Sequence, residues 1–306
     1  MAGNVNLTVK LGNLIFKNPV LTASGTFGYG IEFFKYVDLN KLGGFIVKGL
    51  SLQEKKGNKP PRIVETPCGM LNAIGLQNVG VERFIEEKLS KLQGLSTHII
   101  ANIYGTEVEE FVRLAEILDK EPLISALEVN VSCPNVSAGG ALFGKDPDMV
   151  YVLTVSIKKV TKKPVIVKLT PNVEDIAFVA QAAQSAGADA VSLINTITGM
   201  VIDVKNRKPF LANKTGGLSG PAIYPIGVRM VYEVYEKVKI PIIGVGGIYN
   251  ANVALQYIMA GASLIEIGTA NFIDPTISIQ VIKGIEEFMN EEGVDSISEL
   301  VGVAHG

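Results

Sequence analysis

The chain has 306 residues, 47% of them hydrophobic and 19% charged, with a formal net charge of -2. A chain of this size buries roughly three quarters of its unfolded surface, which excludes disorder as its main state, and the near-neutral charge leaves no basic footprint for nucleic acid. Two cysteines without CxxC spacing supply neither a disulfide framework nor the thiolates of an iron–sulfur cluster, and two histidines leave little for a triad or metal site.

The N-terminus lacks the layout of a signal peptide, and no apolar run reaches the roughly 18 residues of a membrane span, so a soluble cytoplasmic protein is expected. Short β-branched runs then alternate with longer amphipathic stretches, the pattern of βα units around a parallel sheet. Strands are expected at 19–24, 44–48, 98–103, 126–131, 164–169, 190–195, 241–246 and 264–268. Helical patterns fall between them at 108–118, at 173–187 ending on Gly187, and at 250–261 opening on Asn250 as N-cap. Near-continuous apolar strands are those buried on both faces. Eight such units imply a single (β/α)8 TIM barrel spanning 1–306 as one domain, with a doubly wound sheet as the alternative.

Long segments at 49–80, 132–146 and 196–221 follow strands, which places them at the C-terminal face of a barrel, and their turn-forming composition reads as lids. His98 opens an apolar run and reads as structural, whereas His305 is next to last in a tail expected to fray.

The last two units end in Gly246 with Gly247 and Gly268 with Thr269, where backbone N–H groups can approach an anion closely. This is the phosphate position of many barrels. GVGGIY is not the dinucleotide fingerprint, because Tyr249 holds the third glycine's place. Lys48 and Lys168 each sit in an apolar strand, where a buried ammonium must pair with an anion or lose its proton, and both are expected to face the pocket. Asn72, Asn102, Asn130 and Asn195 mark further strand ends or loops and suggest a hydrogen-bonding cage for a planar amide- or imide-bearing ligand. Cys133, just beyond the fourth strand, is the reactive candidate as base or nucleophile; Cys68 in ETPCGM is expected to be packing.

Beyond these features, ASGTFGYG (23–30), KGLSLQEKKGNKPPRIVETPCGMLNAIGLQN (48–78), NVSCPN (130–135), VKLTPN (167–172), LINT (193–196), GGLSGPAI (216–223), GVGGI (244–248) and IGTA (267–270) resemble dihydroorotate dehydrogenase along nearly the whole chain. The resemblance implies an FMN-containing barrel that oxidises dihydroorotate to orotate in pyrimidine synthesis. A cysteine base resembles class 1 rather than the serine-containing, membrane-associating class 2, for whose extension a first strand near residue 19 leaves no room. ASGTFGYG and the NKPPR to GLQN run resemble the NAD-linked class 1B catalytic subunit more than the fumarate-reducing class 1A homodimer. This implies a partner electron-transfer subunit carrying FAD and a 2Fe-2S cluster, in a heterotetramer of two subunits of each kind.

By the same resemblance Cys133 would take the C5 proton while the C6 hydride passes to FMN N5, with no metal required. Lys48, Asn72, Ala73, Ile74, Gly75, Leu76, Asn130, Asn195 and Thr196 match substrate contacts. Ser24, Lys48, Gly49, Asn102, Asn130, Lys168, Ile194, Gly220, Gly246, Gly247, Gly268 and Thr269 match FMN contacts, the last four around the phosphate. Competing readings are a dihydropyrimidine dehydrogenase-like flavoenzyme, against which the Lys48 cation argues, and a flavin-free lyase or isomerase with a Schiff base on Lys168.

Overall fold

The computed structural model describes residues 5–132 and 143–306. Its central element is a closed barrel of eight parallel strands: β1 (Val20–Thr22), β2 (Gly44–Ile46), β3 (His98–Ile103), β4 (Ile124–Asn130), β5 (Val165–Lys168), β6 (Ala190–Leu193), β7 (Ile242–Val245) and β8 (Leu264–Ile267). Each strand pairs with the next in sequence, and β8 closes on β1 with Ile265 opposite Val20 and Ile267 opposite Thr22. The eight expected strands are all present, and closure excludes the doubly wound alternative. Most strand residues are buried because one face fills the barrel and the other meets the helices.

The helices follow from their apolar stripes. Helix Val108–Asp119 buries Phe111, Leu114, Ala115 and Leu118, positions one helical turn apart. Asp175 accepts hydrogen bonds from the N–H groups of Ala177 and Phe178 at the start of Ile176–Ser185, and Asn250 accepts from Val253 at the start of Ala251–Met259. Each such cap stabilises by about 1 kcal/mol.

A hairpin, Val9–Leu11 with Leu14–Phe16, closes the N-terminal end of the barrel with fully buried Leu11 and Phe16. His98 packs its ring on Phe16 and bonds Ser125 Oγ and the Ile15 carbonyl, so it is structural as expected. The C-terminal tail, however, does not fray: His305 stacks on Tyr232 at 3.7 Å between ring centroids, and its Nε2 lies 3.1 Å from the Ala260 carbonyl.

At the other end, the segments expected as lids contain regular structure. Ile197–Gly199, Gly216–Ser219, Gly69–Asn72 and Ile63–Thr66 form, in that order, a four-stranded antiparallel sheet with a small core of Leu71, Ala73 and Leu211. Cys68 sits in the turn between Ile63–Thr66 and Gly69–Asn72 with its side chain exposed, which corrects the packing assigned to it. Most of the segment 132–146, residues 133–142, lies outside the described residues. Among the described residues no helix is long and apolar enough to cross a membrane.

Candidate active site

At the C-terminal ends of β6, β7 and β8, backbone segments converge so closely that only glycine fits. Gly247 has φ +69°, and a Cβ there would lie 2.6 Å from the Gly220 carbonyl oxygen and 2.8 Å from the Tyr224 nitrogen. Gly220, at φ +95°, abuts Gly69 in the same way, with 2.7 Å between its would-be Cβ and the Gly69 Cα. Ile194 packs beside Gly246, and Thr269 Oγ1 donates to Ser219 Oγ at 2.7 Å. The Ala23 N–H donates to the Ile267 carbonyl, which brings the segment holding Ser24 beside Gly268. Ser24, Ile194, Gly220, Gly246, Gly247, Gly268 and Thr269 thus come to one region of the rim. Tyr257, missed in the sequence, lies beneath it and donates to the Gly246 carbonyl at 2.6 Å, with burial pushing its phenol well above the ordinary range.

Across the mouth run two polar chains. In the first, Asn72 donates to the Gly217 carbonyl, the Ala73 N–H donates to the Arg62 carbonyl, and Asn58 bonds the carbonyls of both Ala73 and Ile74. Gly75 and Leu76 follow at φ +76° and +55°. In the second, Asn130 accepts from Ser132 Oγ at 2.6 Å, Asn195 donates to that same hydroxyl, and Asn195 Oδ1 accepts from the Thr196 N–H. Gly217 lies between the chains, paired with Asn72 and packed against the Thr196 hydroxyl. Ser132 was absent from the expected residues, although it precedes Cys133 in sequence; Cys133 itself lies outside the described residues.

Lys48 is half-buried, and its ammonium has no hydrogen bond or ion pair among the described residues. Burial, reinforced by the positive charge of Arg62, holds its pKa below the ordinary lysine value, with Glu32 opposing. Such a cation gains from an anion arriving at the mouth. Gly49 follows it, and a Cβ on Gly49 would lie 2.8 Å from Asn102 Oδ1, a buried oxygen with no hydrogen-bond partner among the described residues.

Inside the barrel Lys168 already has its partners. Its Nζ lies 2.9 Å from Glu266 Oε2 and 3.3 Å from Glu128 Oε1, and both carboxyls are fully buried. Burial alone would push Glu128 up; the Lys168 ammonium and hydrogen bonds from Glu266, Asn102 and Ser192 more than reverse this and hold it below the ordinary carboxylate range. Glu266 is raised well above that range by burial and then by the charge of Glu128. Burial would lower Lys168, but the two carboxyls raise it above its ordinary value. An ammonium held this firmly is a poor nucleophile, which argues against the Schiff-base reading. Neither carboxyl was among the expected site residues. Both carry the signal that drew attention to Lys168, a lone charge in an otherwise apolar strand.

Two surface hollows of about 560 and 390 Å³ border segments that precede β2, β3 and β4. They therefore belong to the N-terminal face, away from the strand ends described above. Among the described residues, no group of three or more His, Cys, Asp or Glu is placed to hold a metal ion.

Fold and site together define a (β/α)8-barrel enzyme with a glycine cradle at β6 to β8 and a charged centre beside it. The dihydroorotate dehydrogenase family model matches residues 6–289. A protein of Pelobacter propionicus named dihydroorotate dehydrogenase B (NAD(+)), catalytic subunit, is 56% identical over 97% of this chain and 98% of its own length. One of the same name from Geotalea uraniireducens is 53% identical over 98% of each. An Aquifex aeolicus relative, 53% identical over 98% of this chain, carries instead a name of the A (fumarate) type. The chain belongs to the dihydroorotate dehydrogenase family and is an oxidoreductase of the FMN-dependent kind.

The residues present fit FMN on one observation. Asn102 Oδ1, buried and without a hydrogen-bond partner among the described residues, is an acceptor awaiting a donor, and ring N–H groups of a flavin are such donors.

Proposed function

We propose that this chain oxidises (S)-dihydroorotate to orotate in the cytoplasm, in de novo pyrimidine (UMP) biosynthesis. The observation that carries this reading is the family match over residues 6–289, and the Lys48 ammonium, without a partner among the described residues, supports it by offering a counter-ion for a substrate carboxylate.

FMN, when bound, supplies N5 as acceptor of the C6 hydride. Gly246, Gly247, Gly268 and Thr269 would hold its phosphate, with Ser24, Ile194 and Gly220 beside them. Gly49, Asn102, Asn130 and Lys48 would line its ring, and the Lys168 ammonium would stabilise negative charge building up there. Asn72, Ala73, Ile74, Gly75 and Leu76 on one side, and Asn130, Asn195 and Thr196 on the other, would grip the pyrimidine edge. Cys133, as its thiolate, would remove the C5 proton, which is acidified by the adjacent carbonyl.

Electrons would leave through a partner subunit carrying FAD and a 2Fe-2S cluster to NAD, in an assembly of two subunits of each kind. The name of the Aquifex aeolicus relative keeps fumarate as a second reading of the acceptor. NAD reduction with and without the partner, set against fumarate reduction by the chain alone, separates the two. For the chemistry, Cys133→Ala should keep the flavin spectrum and slow anaerobic bleaching by dihydroorotate by about a hundredfold or more. Unchanged bleaching would remove Cys133 from the reaction.

A further inference from the structure

The fully buried carboxyl of Glu128 accepts from three donors. Oε2 accepts from Asn102 Nδ2 at 2.6 Å and Oε1 from Ser192 Oγ at 2.8 Å, while Lys168 Nζ reaches both oxygens at 3.3 and 3.5 Å. Asn102 and Lys168 come from the strands on either side of β4, and their other contacts differ: Asn102 turns its free Oδ1 toward Gly49, and Lys168 spans to Glu266 on β8. Glu128 is therefore the one described group that both residues share.

We propose that Glu128 is a positioning residue that sets the direction of both the Asn102 amide and the Lys168 ammonium toward the cofactor, with Glu266 closing the cluster as a hydrogen-bond donor. Three observations support the role given to Glu266. Two carboxyls and a single ammonium share a buried site, so charge balance favours one proton on the pair. Among the described residues Oε1 of Glu266 has no donor, which suits an acid and not an anion. Burial and the charge of Glu128 also push Glu266 toward the protonated form.

A Glu128→Gln side chain has the same shape but presents N–H where these donors stand. Ser192 can turn its hydroxyl and accept, so Lys168 loses one of its two holds and swings toward Glu266. This inference rests on the reading that Asn102 and Lys168 face FMN, and the test separates the two. The midpoint potential and FMN dissociation constant of the holoenzyme are measured for Lys168→Gln, Glu128→Gln and Glu266→Gln.

Lys168→Gln should lower the potential, because a positive charge near the ring is lost. Glu128→Gln should lower it too and weaken FMN binding by about tenfold, the scale of losing a hydrogen bond to a charged group. A role limited to negative charge predicts the opposite sign, since removing that charge would raise the potential. Glu266→Gln should change affinity by less than about twofold, because an amide replaces a neutral acid of the same shape. A raised or unchanged potential in Glu128→Gln overturns the inference while Lys168→Gln still moves it, and equal shifts in both glutamate variants overturn the role given to Glu266. No shift in Lys168→Gln overturns the underlying reading and the inference with it. Ser192→Ala, which loosens Glu128 without touching its charge, covers the case of a poorly folding Glu128→Gln: it should lower the potential by a smaller amount, and a flat response counts against positioning.

Discussion

The glycine cradle and the charged centre stand side by side in one barrel and are built on opposite principles. The cradle at Gly220, Gly246 and Gly247 is made from backbone, shaped by the absence of side chains and insensitive to pH. The centre at Glu128, Lys168 and Glu266 is made entirely from side chains, and its geometry depends on which of them carry charge. A cradle of backbone can be damaged only by adding atoms. A cluster of ions can be damaged by removing one partner, because the remainder is left buried without compensation.

The largest effect therefore belongs to the centre. Lys168→Gln leaves Glu128 without its counter-ion, and breaking a buried pair in this way costs about 3–5 kcal/mol. Urea denaturation of the purified protein measures it. A loss below about 1 kcal/mol would place the centre with ordinary surface pairs and remove the contrast with the cradle.

Next comes the proton on Glu266. A folded-state pKa above the unfolded one means a contribution fully present below about pH 4.3, the unfolded carboxylate value, and lost as pH rises toward the folded value. Glutamine has no proton to hold, so Glu266→Gln should gain stability on the wild type as pH rises from that point, by about 1.4 kcal/mol per pH unit until Glu266 ionises in the fold. Glu128 works in the reverse sense, with stability present above its unfolded value and lost as pH falls through its lowered folded one. That contribution is common to both proteins and cancels in the difference. Unfolding curves at several pH values give the slope, and a pH-independent difference between the two proteins would mean that Glu266 is ionised in the folded chain.

The same contrast explains what the sequence disclosed. The cradle was legible because paired glycines at successive strand ends are a local pattern, and the eight strands were legible because strands buried on both faces read as unbroken apolar runs. Lys168 was found by its misfit in such a run. Glu128 in ALEVNV and Glu266 in LIEIG are the same misfit, but their meaning depends on three strands meeting across the barrel, which no local window contains. The sheet over the mouth was hidden for a related reason. Its strands are only three or four residues long, and the pairing that joins its two halves sets Asn72 against Gly217, almost half the chain apart. Exposure of Cys68 follows from that hairpin and was equally out of sight.

Within the cradle, two glycines should respond differently. At Gly268, where φ is −106°, a Cβ would meet Ala23 at an ordinary 3.5 Å, so Gly268→Ala displaces no neighbour. Gly247 sits at φ +69° with carbonyl and amide backbone atoms inside 3 Å of a Cβ, and neither can rotate away as a flexible side chain would. Gly247→Ala therefore takes on the left-handed penalty of about 1–2 kcal/mol and forces the Gly220 segment outward besides. FMN affinity measured by fluorescence titration should fall by at least about tenfold in Gly247→Ala, equivalent to 1.4 kcal/mol, and the loss should not change between pH 6 and pH 8. If Gly268→Ala weakened binding as much as Gly247→Ala, the close packing of backbone at Gly220 and Gly247 would not be what shapes the cradle.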